Sequence, residues 1–111
     1  MIVVRHGEEF LVVTQGDHAH LSAELLALFR IPELVEHPRR DRLIRAIREH
    51  DNGWREADAA PRCSAEGRPH DFVDLPEAAR LELWRRGVER YLEQRPYAGL
   101  LVMEQIGRAH V

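Results

Sequence analysis

The sequence predicts a mostly α-helical domain: a bundle of about four helices with a short amino-terminal β-hairpin. Three observations lead there. Two runs of β-branched and aromatic residues stand close together near the amino terminus, apolar residues further along recur at helical spacing, and prolines fall at the borders of those helical stretches.

Ile2-Val3-Val4 and Phe10-Leu11-Val12-Val13-Thr14 form the two runs, with Gly7 between them as the turn residue of a hairpin. A lone hairpin is marginal in water, so it must pack on something helical. Asp17 is a candidate cap for a first helix whose apolar positions Leu21, Leu25, Leu28 and Phe29 end near Arg30, before Ile31-Pro32. His18 lies one turn before Leu21 and Ser22, which places it toward the expected buried side. After Pro38 a second helix carries Leu43, Ile44 and Ile47 on one stripe, and continuing that stripe brings His50 and Asp51 to the inward face. The stretch from Asn52 to Leu75 holds Gly53, Pro61, Gly67 and Pro69 and no sustained period, and reads as a long loop of functional interest. Within it, Trp54 is expected to pack against the helices and hold the loop close to His50. A third helix opens at Pro76-Glu77 and runs to about Gln94, with Leu81, Trp84, Val88, Tyr91 and Leu92 on its apolar face. Tyr97, Leu100 and Leu101 begin a fourth.

Composition narrows the function. A chain of 111 residues with 32% charged residues holds no apolar run of the roughly 20 residues that a membrane span requires. No signal-peptide core is visible, and residence in the cytoplasm is the expectation. Cys63 is the single cysteine, which excludes an internal disulfide framework and a paired-cysteine metal knuckle. A net charge of -3 argues against a broad nucleic-acid surface, although all 16 basic residues are arginine. The final six residues, Ile106 to Val111, match the translation of a common sequencing-adapter oligonucleotide. Residues 1–105 are therefore expected to form one helical domain, incomplete at its carboxyl end, with 106–111 a non-native tail.

Chemistry concentrates at His50-Asp51. A carboxylate on a core-facing stripe costs several kcal/mol unless a cation, a proton or an arginine answers it. A divalent metal ion held by His18, His50 and Asp51 is one solution, since imidazole and carboxylate form a mixed nitrogen and oxygen ligand set. His20, two residues from His18 on the same helix, points well away from it and is the poorer ligand. The other solution is a purely structural pair, with imidazole meeting the helix-terminal carbonyls and Asp51 paired to one of the many arginines. Arg39, Arg40, Arg42, Arg45 and Arg48 read chiefly as a solvated helix face, with one of them a candidate for reaching a substrate phosphate.

Five segments taken together carry a family resemblance. They are Thr14-Gln15-Gly16-Asp17-His18-Ala19, Ala46-Ile47-Arg48-Glu49-His50-Asp51-Asn52-Gly53-Trp54, Asp71-Phe72-Val73-Asp74-Leu75-Pro76, Trp84-Arg85-Arg86-Gly87-Val88-Glu89-Arg90 and Pro96-Tyr97-Ala98-Gly99-Leu100-Leu101-Val102. This set resembles the successive signature blocks of a bacterial family, domain of unknown function 3891. Members of that family continue past this point with a Ser-x-His-Gly-like stretch where this chain has Met103-Glu104. The family brings no activity with it. A looser similarity, of a histidine on an early helix followed by a helix ending in His-Asp, is to the HD-domain superfamily of metal-dependent phosphohydrolases. That similarity implies a metal-bound hydroxide attacking a phosphoester in a small-molecule substrate, with His18, His50 and Asp51 as ligands and a fourth ligand unfilled, because Asp58, Asp71 and Asp74 lie in or just after the loop. Two functions therefore stand side by side: an HD-like metal-dependent hydrolase, and a non-catalytic helical binding module with a structural His-Asp pair.

Overall fold

In the computed structural model, described over residues 1–96 and 100, the chain opens with an antiparallel hairpin. Strands β1 (Ile2–His6) and β2 (Glu9–Val13) pair from Ile2 opposite Val13 to His6 opposite Glu9, leaving Gly7 and Glu8 as the turn. Gly7 takes a φ of 63° and Glu8 stays out of the positive region, the pattern of a turn that needs glycine only at its first central position. The amino end of the hairpin is tied down by distant residues. Phe72 N–H donates to the Met1 carbonyl at 2.8 Å and Val3 N–H donates to Asp71 Oδ2 at 2.9 Å.

Helix α1 (Gln15–Leu28) is capped by Thr14, whose Oγ1 accepts from the Asp17 N–H at 3.0 Å. It therefore begins earlier than the expected Asp17 cap. Its buried stripe is Gln15, Ala19 and Ala23, while Leu21, Leu25 and Leu28 are all more than half exposed. This corrects the expectation that the leucines mark the core face. Methyl-sized side chains let α1 lie close against α3, where leucines would hold the two axes apart. A short helix α2 (Pro32–Val35), opened by its proline, precedes α3 (Arg40–Glu49). Ala46 of α3 joins Val88 and Tyr91 in a core cluster against which Leu92 packs.

The stretch read as a long loop is largely structured. A 3-10 turn, Asn52–Trp54, passes directly into α4 (Arg55–Ala59); an isolated bridge joins Cys63 to Pro69; and a second 3-10 turn, Phe72–Asp74, is closed by a reciprocal cap between Asp71 and Asp74. Hydrogen bonds from Asp and Asn side chains take the place of the apolar period that the sequence lacks here. The last described helix, α5 (Glu77–Gln94), begins after Pro76 as expected and buries Leu83, Gly87, Val88 and Tyr91, leaving Leu81 exposed.

One backbone approach fixes α5 on the rest of the chain. A Cβ placed on Gly53 would lie 1.8 Å from the Leu83 carbonyl oxygen, and one placed on Gly87 would lie 2.8 Å from the Gly53 nitrogen. The Asn52-Gly53 turn and the middle of α5 therefore touch main chain to main chain, which only glycine on both sides permits. The expected fourth helix falls on residues outside those described, apart from the exposed Leu100. Among the described residues no helix is long and apolar enough to cross a membrane.

Candidate functional site

The stripe of α3 delivers His50 and Asp51 inward, as its periodicity implied. Asp51 is buried at 5% exposure and both of its oxygens are engaged: Oδ1 accepts from Trp84 Nε1 at 3.1 Å, and Oδ2 lies 3.1 Å from His50 Nε2. The other ring nitrogen of His50, Nδ1, is 2.5 Å from the Ile47 carbonyl oxygen. Both nitrogens thus face acceptors, an arrangement satisfied in full when both carry protons. Burial is the largest single influence on His50 and favours the neutral ring. The hydrogen bond and charge of Asp51, together with the Ile47 carbonyl, outweigh it and hold the pKa above the ordinary 6.5. An imidazolium next to a carboxylate is the compensation that a buried Asp51 requires.

Trp54, 1% exposed, closes the site from below the turn, packing edge-on to Trp84 at 6.0 Å and to Phe72 at 6.4 Å. The expectation that this tryptophan is packed inside and not exposed holds. Of the three residues assigned as metal ligands, the structure brings two together. His18 is exposed, because the inward stripe of α1 runs through Gln15, Ala19 and Ala23. His20, the residue set aside, is the one that lines a small pocket of about 330 Å³ shared with Asp51 and Asp58. Among the described residues no three His, Cys, Asp or Glu side chains converge as a metal site.

Asp58 has a different task. Its Oδ1 accepts from the Met1 ammonium at 2.8 Å and its Oδ2 from the Gln15 N–H at 2.6 Å, so one buried carboxylate holds the start of β1 to the start of α1. Sequence reasoning missed this, since the partners lie more than forty positions away and neither is a side chain.

A second feature went unseen in the sequence. Between α3 and α5 runs an open cleft of about 590 Å³ whose walls include Arg45, Arg48, Arg55, Arg90, Arg95 and Tyr91. Arg90 is committed to Glu56 at 2.6 Å and to the Asn52 carbonyl at 3.3 Å, and Arg48 stands 3.8 Å from Glu24. Arg45, Arg55 and Arg95 have no carboxylate partner among the described residues. Tyr91 is 5% exposed, and its hydroxyl is buried without a hydrogen-bond partner among the described residues. Burial and then the charge of Glu49 push its phenol pKa up, against the opposing pull of Arg45 and Arg95, so the group stays a neutral donor. The signal available beforehand was the run of arginines on α3, read chiefly as a solvated face, to which Arg55 and Arg95 are brought only by the fold.

A family model described as protein of unknown function (DUF3891) matches residues 1–106. No curated protein and no solved structure matches the chain.

Proposed function

This chain belongs to the DUF3891 family, and we propose that it is a non-catalytic helical binding module in which the His50-Asp51 pair is structural and the cleft between α3 and α5 receives a small molecule. The supporting observation is the closed hydrogen bonding of the pair. With Ile47 and Asp51 on the two ring nitrogens of His50, and Trp84 and His50 on the two oxygens of Asp51, no ring lone pair is turned toward an incoming ion. An HD-like bundle with a metal-bound hydroxide would need His18 beside the pair, and His18 is exposed. The residues present therefore do not fit that ion. The pair serves as a strut to α5, since Trp84 of α5 donates to Asp51 just past the end of α3.

The test is metal uptake by the intact chain. After incubation with Zn²⁺ or Mn²⁺ and dialysis, the protein is expected to retain less than stoichiometric metal and to show the same thermal stability with and without it. Stoichiometric metal that is lost in both His18→Ala and Asp51→Asn would overturn the reading and restore the hydrolase.

A further inference from the structure

We propose that the free edge of β2 is an interface between two copies of this chain, whose β2 strands pair antiparallel to join both hairpins into one four-stranded sheet. The two edges of the hairpin differ. On the β1 side Val3 sends its N–H outward to Asp71 Oδ2, and the Met1 carbonyl accepts from Phe72, so residues 71 and 72 cap that edge. Val3 therefore belongs to a pair that makes no ladder bond, and its opposite, Val12, turns its own N–H and C=O away from β1. Phe10, opposite Arg5, does the same. Among the described residues nothing bonds to the outward backbone groups of Phe10 and Val12, and no third strand joins the sheet. The devices that ordinarily blunt an open edge are missing: β2 holds no proline, no lysine and no bulge, and its one charge is Glu9 beside the turn.

Self-complementarity selects a second copy as the occupant. Within β2 only Phe10 and Val12 offer outward bonds, so a symmetric antiparallel pair that keeps both whole strands aligned is centred on Leu11, with Phe10 opposite Val12 of the second copy. Such a pair exchanges two backbone hydrogen bonds, and the twofold axis doubles them. Glu9 then falls opposite Val13 of the second copy and not opposite its own counterpart, so no like charges meet across the axis. The side chains agree with the backbone. Val4, Leu11 and Val13 share one face of the hairpin and are 56%, 56% and 43% exposed. Pairing sets the two Leu11 side chains together on the axis, at the closer spacing of a non-hydrogen-bonded pair, and continues that face as one apolar band. A lone two-stranded hairpin is marginal in water, whereas a sheet of three or more strands with an apolar face is not.

Sedimentation velocity of the full chain over a concentration series, with amide hydrogen exchange at the two ends of that series, tests this. A reversible dimer is expected. Its Phe10 and Val12 amides should exchange about tenfold faster or more on dilution, while the Val4 and Leu11 amides, bonded within the hairpin, keep their protection throughout. Val12→Pro removes an outward donor and no bond of the hairpin, and symmetry makes that two donors per dimer. It should raise the dissociation constant about tenfold or more with the helical circular dichroism unchanged. Exchange in the unmutated protein decides the matter even where that variant misfolds. A monomer at every concentration would overturn the proposal, as would a dimer whose Phe10 and Val12 amides exchange as fast as in the monomer. A dimer that Val12→Pro leaves intact and Leu25→Glu dissociates would overturn it in favour of the outward leucines of α1.

Discussion

Gly53→Ala should be the most damaging single-methyl substitution in this chain. The added Cβ would sit 1.8 Å from the Leu83 oxygen, 2.8 Å from the Leu83 carbon and 2.9 Å from the Gly87 nitrogen, where ordinary contact begins at 3.4 Å. All three atoms are backbone of α5, so no rotamer change relieves the clash. Either α5 or the Asn52–Trp54 turn must move, and the move draws on the bonds that join them: Asn52 Nδ2 to the Gly87 carbonyl at 3.3 Å, Arg90 to the Asn52 carbonyl at 3.3 Å, and Trp84 to Asp51 at 3.1 Å. Overpacking of this kind costs about 1 to 3 kcal/mol. Loss of the neutral Asn52–Gly87 bond at about 1 kcal/mol and of one charge-assisted bond at about 1.5 to 3 kcal/mol brings the expected loss to about 3.5 to 7 kcal/mol. Against a typical stability of about 5 to 15 kcal/mol, that approaches unfolding. Urea denaturation followed by tryptophan fluorescence reads it directly, since Trp54 is buried next to the mutated residue. Gly16→Ala is the internal control. Its Cβ meets nothing closer than Thr14 Oγ1 at 3.9 Å, and alanine in a helix is favoured over glycine by up to about 1 kcal/mol. A Gly53→Ala midpoint within about 1 kcal/mol of wild type would show that α5 does not lie on the turn as described.

Three further outcomes follow from the same contacts. Because the His50 pKa is raised in the folded state, its stabilising contribution is complete below the ordinary value of 6.5 and disappears as pH rises through the folded value; melting temperatures from pH 5.5 to 8.5 should fall in wild type and stay flatter in His50→Gln. Asp58→Ala leaves the Met1 ammonium and the Gln15 N–H without their acceptor and should cost about 3 kcal/mol, lowering the melting temperature by on the order of 15 °C, with Asp58→Asn intermediate. Trp84→Phe keeps an aromatic ring against Trp54 but withdraws the donor from a buried carboxylate, for about 1.5 to 3 kcal/mol; combined with His50→Gln in a double-mutant cycle it should be non-additive by at least about 0.5 kcal/mol.

Much of this arrangement was legible in the sequence where one physical rule decided it. The hairpin followed from β-branched runs around Gly7, and α5 from an apolar stripe opened by a proline, since each is a local matter. The inward direction of Asp51 was likewise a continuation of the Leu43, Ile44 and Ile47 stripe, and Trp54 was found buried against Trp84 and Phe72 as its size required. Periodicity failed on α1 because it weighs large side chains most. The seam there is made by Ala19 and Ala23, and the leucines that dominate the pattern ride outside. That one misjudged face carried His18 with it, and so removed the third member of the expected ligand set.

The same reasoning explains why the cleft was invisible while the His-Asp pair was conspicuous. His50 and Asp51 are neighbours in the chain and share a helix end, so their juxtaposition is settled before the fold is known. Arg45, Arg55 and Arg95 span fifty positions and sit on different elements, which the Gly53–Gly87 approach and the bonds of Asn52 and Arg90 bring together. Arginines on a helix face are ordinarily solvated, and nothing in their spacing distinguishes these from that case. What distinguishes Arg45, Arg55 and Arg95 is that no carboxylate answers them among the described residues, and pairing is a property of the folded chain that no local pattern encodes. If the two glycines seat α5 on the Asn52–Trp54 turn, then a methyl added at Gly87 should also loosen that seat, by less than one added at Gly53. Gly87→Ala, whose Cβ approaches the Gly53 nitrogen at 2.8 Å, less severely than the 1.8 Å clash at Gly53, is the variant to denature in urea beside Gly53→Ala. A Gly87→Ala midpoint below that of Gly53→Ala would mean that the closeness of the backbone approach does not set the loss.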